Sequence, residues 1–306
     1  MTRYILRRLA IFVPVMYVII TGTFFFIRLA PGGPFDAGER AISPEVLTAL
    51  KAHYNLNAPM YRQYFDYLAD LAHGDFGPSI AQPGFSVNDL IDRSFPISLE
   101  LGCYALVVAL AIGLAAGIIA SLKPNSMLDY TPMSLAMFGI CIPNFVLGPV
   151  LVLIFALWLG WLPVAGWDTA SEKILPAITL GATYAAYIAR LSRGGMMEVL
   201  AQDFIRTARA KGLSETRVVL RHALRGGLQP VTAYLGPAAA GLLTGSFVVE
   251  RIFDIPGLGS YFVSAALNRD YTMIMGTVLV YASLILVFNL VVDVIQAWLD
   301  PRLRTG

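Results

Sequence analysis

The sequence predicts an all-α, multi-pass membrane protein, and three observations lead there. Of 306 residues, 57% are hydrophobic and only 14% charged, with a mean hydropathy of +0.67, well beyond what a soluble domain of this length uses. Apolar runs recur at 9–27, 101–122, 130–167, 174–189, 228–249 and 271–292. Most of these can cover a hydrocarbon core of about 30 Å as a helix. Charge then counts the crossings. With six spans, one side collects Arg3, Arg7, Arg8, Lys123, the eight basic residues from Arg190 to Arg225, Arg302 and Arg304, against Lys173, Arg251 and Arg269 in the short loops opposite. Basic residues are retained on the cytoplasmic side, so six transmembrane helices with both termini in the cytoplasm are expected. Seven spans would erase the asymmetry.

Taken in order, the first run follows Arg3, Arg7 and Arg8. It is longer than a signal-peptide core and lacks a small-x-small cleavage site, so it is read as the first helix. Residues 28–96 then leave the membrane. They open with the turn APGGPFD, allow helices that begin at Pro44 and Pro59, turn again at GDFGPS, and start a short helix at Ser86, Asn88 and Asp89. With few apolar residues of its own, this segment reads as an extracytoplasmic scaffold or docking surface. The expected division is therefore 1–96 for the first helix and scaffold, 97–299 for the membrane domain, and 300–306 for a tail.

Within the membrane, Gly113 and Gly117 on the second run, and Gly241 and Gly245 on the fifth, have the spacing that lets helices approach closely in lipid. The third run is too long for one straight span and carries Pro132, Pro143, Pro149 and Pro163. Pro176, Pro230 and Pro237 interrupt later runs. Backbone groups freed at membrane depth must face protein or a water-filled cavity, which favours a moving or solvent-lined interior. Tyr184, Tyr187 and Tyr234 are candidates to line it, or to serve as interhelical hydrogen-bonding and interface groups. Asn289 and Asp293 lie one turn apart near the end of the last run, where Asp293 is close enough to the surface to pair with a basic residue.

The segment 194–230 is a basic, polar island between two apolar runs. Met197, Leu200, Phe204 and Ala208 fall on one helical face, with Glu198, Gln202, Arg206 and Arg209 elsewhere. Gly212 suits a left-handed cap, and Ser214 with Glu215 suits the start of a second helix. The elbow of Thr207, Ala208, Ala210 and Gly212 is built of small residues, so another protein can approach its backbone. It reads as a peg. A second turn, Glu250 to Gly259, contains Pro256, Gly257 and Gly259 and lies on the other side of the membrane.

Catalytic signatures are absent from the sequence. It has no GxxxxGK[ST] phosphate loop and no HExxH helix; His53, His73 and His222 are dispersed, and Cys103 and Cys141 match no metal-ligand spacing. No catalytic residue and no metal site are therefore expected. Any energy source has to come from a partner or a gradient. A secondary carrier or channel would also use six spans and broken helices, but would predict an inverted repeat.

RTARAKGL with RHALRGGLQP, VVERIFDIPGLG and ALNRDY after the fifth run, ILRR at the start, RLAPGGPF, HGDFGPS and the Asp300–Pro301 pair together resemble the permease subunits of bacterial ATP-driven peptide importers. The likeness covers nearly the whole chain and is nearest to the first membrane subunit of oligopeptide and dipeptide permeases. The resemblance implies a type I ABC importer permease fold. It also implies a second homologous permease, two ATP-binding subunits that hold ATP and Mg, and a periplasmic or lipid-anchored solute-binding protein. In this family a cytoplasmic motif opening Glu-Ala-Ala inserts into a cleft of the ATPase. Counted back from Gly212, its positions are Arg206, Thr207, Ala208, Arg209, Ala210, Lys211, Gly212 and Leu213. This chain departs from it, with Arg206 in place of the acid, Thr207 in place of the first Ala, and a more distant Pro230. Glu250, Pro256, Gly257 and Gly259 are the expected periplasmic gate and docking residues.

Overall fold

The structure is a computed structural model that describes residues 2–35 and 44–299. Asp300, Pro301, Arg302, Arg304 and the expected tail lie outside the described residues. Among those residues the chain is helical, with one isolated bridge between Pro78 and Ser86. Its contacts divide it into two units, Met1–Ser98 with Pro256–Leu290, and Leu99–Ile255 with Val291–Gly306.

In the first unit, α1 (Thr2–Leu29) realises the first apolar run. The outer segment folds as α2 (Pro44–His53) and α3 (Met60–Ala72), each starting beside a proline. Proline favours this position because its missing N–H would have no partner in a first turn. α3 lies against the end of α1. Phe24, Tyr64 and Met275 form a buried cluster, the Tyr64 and Thr21 hydroxyls are 2.7 Å apart, and Arg28 donates to Gln63 Oε1 at 3.2 Å. The start of α4 (Val87–Leu122), α13 (Leu258–Asn268) and the start of α14 (Tyr271–Leu299) meet through Val87, Leu90, Ile91, Leu258, Ala265 and Met273.

In the second unit the third apolar run breaks. α5 (Met127–Cys141) and α6 (Asn144–Leu151), the latter prolonged by π-helical winding over Val152–Trp158, meet at 115°. Pro143 disfavours helical geometry in the residue before it, and Ile142 is extended at φ −92°, ψ 117°. α7 (Ile174–Leu200) follows, then α8 (Asp203–Ala210) and α9 (Glu215–Arg217). A π-wound stretch, Val218–Ala223, leads into α10 (Leu224–Gly227), α11 (Gln229–Leu243) and α12 (Phe247–Ile252).

Among the described residues, four helices are long and apolar enough to cross a bilayer, five if the bent pair counts as one span. The expected fifth span, at 228–249, differs from a straight span. α11 has 15 residues, about 22 Å at 1.5 Å per residue, and the chain then turns through Gly245 at φ +74°. Ser246 restarts it as the cap of α12, accepting from Val249 N–H at 3.4 Å.

The register of α4 against α7 positions everything else. A Cβ added at Gly181 would lie 2.7 Å from the Ala105 carbonyl, and one at Gly113 would lie 2.6 Å from the Ala185 carbonyl; Gly117 backs onto Ala189 and Ser192. These contacts require backbones that only glycine permits. Residue numbers rise together along both helices, so α4 and α7 run parallel and the chain between them crosses back. Residues 123–126 and 201–228 consequently share one side. α11 returns antiparallel on α7, with Gly195 against Gly227 and Pro230 and the Tyr187 and Tyr234 rings 5.9 Å apart.

Candidate functional site

The basic island is two helices with a tight corner, as the sequence suggests, but its phase differs from expectation. α7 stops at Leu200, and Gln202 is extended at φ −77°, ψ 153° before α8 begins. No Gly or Pro marks this break. The available signal is Asp203, an acid in the first turn of α8, where the helix dipole favours negative charge. The break rotates the next residues. Ile205 and Ala208 are buried, at 0% and 7% exposure, while Phe204, expected on the buried face, is 48% exposed.

The corner after α8 is a Schellman motif. Gly212 N–H donates to the Arg209 carbonyl at 2.9 Å and Leu213 N–H to the Ala208 carbonyl at 3.4 Å, with Gly212 at φ +77°. This satisfies two carbonyls that a helix end leaves unpaired. Ser214 has the extended backbone of a cap, but its hydroxyl makes no capping bond, which corrects the expected N-cap. Glu215 is instead held by Arg209, whose Nε and Nη2 donate to its two carboxylate oxygens at 3.0 and 2.6 Å. That pairing lowers the Glu215 pKa below the usual carboxylate range.

Of the eight predicted peg residues, Arg206, Thr207, Arg209, Ala210, Lys211 and Gly212 are exposed and Leu213 is half-buried. Ala208 points inward and is unable to touch a partner. The underside of the peg is a cluster of Met196, Val199, Ile205, Ala208, Val218, Val219 and Ala223, with Ile118 of α4 and Leu213 packed against it. α8 is thereby packed against the ends of α7 and α4. Above it, Arg193 of α7 grips Asp129 at the start of α5. Nε and Nη2 donate to the two carboxylate oxygens at 2.6 Å each, and Asn125 N–H adds a bond at 3.0 Å. Sequence reasoning missed this pair, since an acid four residues past Asn125 looks like ordinary helix-start chemistry.

Three of the sequence signatures converge within the first unit. Asp270, 1% exposed, caps α14 by accepting from Met273 N–H at 3.0 Å. It also accepts from the Ser79 hydroxyl at 2.5 Å and Ala81 N–H at 3.0 Å. Thr272 donates its hydroxyl to the Pro78 carbonyl at 2.6 Å, and Asn88 holds the HGDFGPS turn through Phe76 N–H and the Gly74 carbonyl at 2.9 and 2.6 Å. Arg269 Nη1 and the Tyr271 hydroxyl reach the Gly33 and Gly32 carbonyls at 3.4 and 3.3 Å. A buried carboxylate that accepts from these three donors has its hydrogen-bonding needs met.

The expected gate residues are placed unevenly. Glu250 is wholly buried in α12, its carbonyl accepting from Ile255 N–H at 2.8 Å. Burial removes Glu250 from any docking surface. Gly257 and Gly259 are also buried and only Pro256 is exposed. The tight turn belongs to Asp254 at φ +51°, while α13 starts where Leu258 N–H donates to Ser98 Oγ at 2.8 Å. Tyr184 faces Gly241. Among the described residues no group of three or more His, Cys, Asp or Glu is placed to hold a metal.

Glycine-packed apolar helices backed by a basic, partly exposed helical corner describe a membrane protein of the helical class. Residues 113–305 match the family described as binding-protein-dependent transport system inner membrane component. The chain belongs to that family. It is 50% identical over 306 residues, 99% of this chain and 100% of the relative, to the oligopeptide transport system permease protein OppB of Haemophilus influenzae. Its likeness to the protein of that name from Escherichia coli K12 is also 50% over the same shares. The dipeptide transport system permease protein DppB of Bacillus subtilis is 45% identical over 304 residues, 99% of this chain and 98% of the relative. A chain of the inward-facing methionine ABC transporter MetNI superposes with a TM-score of 0.57 at 17% identity, over 67% of this chain and 94% of that one. A chain of an amino acid ABC transporter solved with histidines gives 0.53 at 16%, over 68% and 93%. The fold is that of the type I ABC importer permeases. This is a multi-pass inner-membrane protein working with the other components of such a transporter, an ATPase and a binding protein.

Proposed function

We propose that this chain is one of two homologous permease subunits that enclose a path for peptides, oligopeptides or dipeptides, across the bacterial inner membrane. Identity of 45–50% along the full chain to relatives named for those substrates supports the peptide assignment. Two ATP-binding subunits hold ATP and Mg and perform the hydrolysis, and a solute-binding protein delivers the peptide to the outer face. Residues 228–249 complete a sixth crossing as α11, the Gly245 turn and α12, and both termini are cytoplasmic. Membrane domain 97–299 carries the path, scaffold 1–96 the outer surface, and 300–306 a cytoplasmic tail.

The observation that carries the coupling reading is the peg itself. Arg206, Thr207, Arg209, Ala210, Lys211 and Gly212 are open to a partner while Ile205 and Ala208 fix α8 to α7 and α4. Arg206 stands where the family has an acid and is exposed, so it contributes charge to the ATPase contact. Closure of two ATPase subunits around ATP moves the seated pegs together and rocks the attached spans. Pro256 forms the exposed tip of the outer gate, and Glu250, Gly257 and Gly259 hold its backbone from within. Purification through a tag on this subunit, with identification of co-purifying chains by mass and binding-protein-dependent peptide uptake in proteoliposomes, tests the reading. A lone chain that carries out flux without ATPase subunits contradicts it.

A further inference from the structure

An apolar groove runs between α4 and α7 in the second unit. It has a volume of about 370 Å³ and is walled by Tyr104, Val107, Ala111, Ile112, Ile174 and Ile178. Val107 is 63% exposed, Ile112 51% and Ile174 42%, so the groove is open at its mouth. From Tyr104 to Ile112 it descends about 12 Å of helix rise, close to one leaflet of a hydrocarbon core of about 30 Å. A further apolar hollow of about 300 Å³ continues from Ile112 and Ile178 toward α5.

The rim is chemically different from the walls. Lys173, just before α7, donates to Glu100 Oε1 at 2.6 Å, and Trp167 Nε1 donates to Glu100 Oε2 at 3.1 Å. The Lys173 ammonium lies 5.0 Å from the Trp167 ring centre and 5.8 Å from that of Tyr104. The lysine side chain is 19% exposed and the glutamate 38%, so both ends of the pair reach the surface. Trp158 and Trp161, 73% and 69% exposed, flank the chain on this same side. Exposed tryptophans of a membrane protein collect at headgroup depth. The rim therefore sits where phosphates and amines of lipids are.

We infer that this groove is a specific site for a zwitterionic phospholipid with a primary amine headgroup, one acyl chain lying along Val107 and Ala111. The headgroup carries the charges of the rim in reverse: its phosphate meets Lys173, and its ammonium donates to Glu100. A purely anionic headgroup meets Lys173 but is repelled by Glu100. A quaternary ammonium has no N–H to donate. A lipid here spans α4 and α7, the two helices that carry the peg, so its occupancy bears on how firmly they are held together.

The complex is reconstituted in nanodiscs of dioleoyl phosphatidylglycerol containing either dioleoyl phosphatidylethanolamine or dioleoyl phosphatidylcholine, and retained lipid is read by native mass spectrometry after detergent release. The ethanolamine lipid is expected to be retained over both others. Glu100→Gln should lower that preference about tenfold, the worth of one charge-assisted hydrogen bond. Ala111→Trp, at an exposed position that leaves the core intact, should abolish retention while the complex remains assembled. Equal retention of the three lipids overturns the inference, as does selectivity unchanged in both variants. A photoreactive side chain at Val107 that captures a second protein chain rather than lipid also overturns it.

Discussion

At the scale of single residues, Gly212, Phe204 and the Arg209–Glu215 pair decide how the peg behaves. Gly212 has nothing within 4 Å of an added Cβ, so Gly212→Ala meets no clash and costs only the left-handed backbone, about 1–2 kcal/mol. Phe204→Ala removes an exposed ring and is expected to change stability by less than about 0.5 kcal/mol. Its partner affinity is expected to fall about tenfold, because exposed aromatics anchor interfaces. Ile205→Ala, one position on, should instead cost about 2–5 kcal/mol of stability; thermal unfolding and ATPase pull-down on the two variants separate the roles. The Glu215 pKa is depressed by Arg209, so the pair's contribution is present above the ordinary carboxylate pKa and is lost as pH falls through the depressed value. Protection factors at residues 212–215, corrected for intrinsic exchange, should hold at neutral pH and fall in acid, and Arg209→Gln should remove that fall. The sequence revealed the glycine and its cap because φ > 0 leaves few choices of residue. It concealed Phe204, because the kink at Gln202 carries no breaker and resets the helical phase.

At the scale of elements, the spacing of small residues was legible and the breaks were less so. Gly113 and Gly117 do pack, against α7, whereas Gly245, the partner of Gly241 in the same spacing, has φ +74° and ends the packing helix. Identical spacing thus served two purposes, since a glycine tolerates both close approach and a left-handed turn. Pro143 announced the bend of the third run; the short fifth helix required a tertiary view, because 228–249 is apolar throughout and hydropathy records no turn. Gly113→Leu should drive α4 from α7 and lower complex yield and melting temperature, since its Cβ alone meets the Ala185 carbonyl at 2.6 Å. Gly194→Ala, with nothing within 4 Å, should be neutral or stabilising by about 0.5–1 kcal/mol. Asp129→Asn should loosen α5 from α7 and uncouple hydrolysis from transport without preventing insertion. Comparing uptake with hydrolysis in that variant checks it.

At the scale of the whole molecule, the sequence signatures turn out to be contact partners. RLAPGGPF, HGDFGPS and ALNRDY are up to 239 residues apart yet hydrogen-bonded together, around an aspartate that caps a helix and holds the scaffold. Their meeting was not readable from the chain, because hydrogen bonds between distant loops leave no local period. Asp270→Ala should free the outer segment and reduce binding-protein-dependent uptake while leaving basal ATP hydrolysis in place. In the proposed coupling, a backbone-defined peg transmits ATP-driven motion to the spans. The most direct test is ATP hydrolysis, stimulated by binding protein and peptide, in the complex purified through this subunit with and without Gly212→Pro. Proline removes the N–H that reaches the Arg209 carbonyl and fixes φ near −65°, far from the +77° observed. Stimulation lost in a variant that still inserts and is recovered from the membrane agrees with the account. Full stimulation in that variant contradicts it.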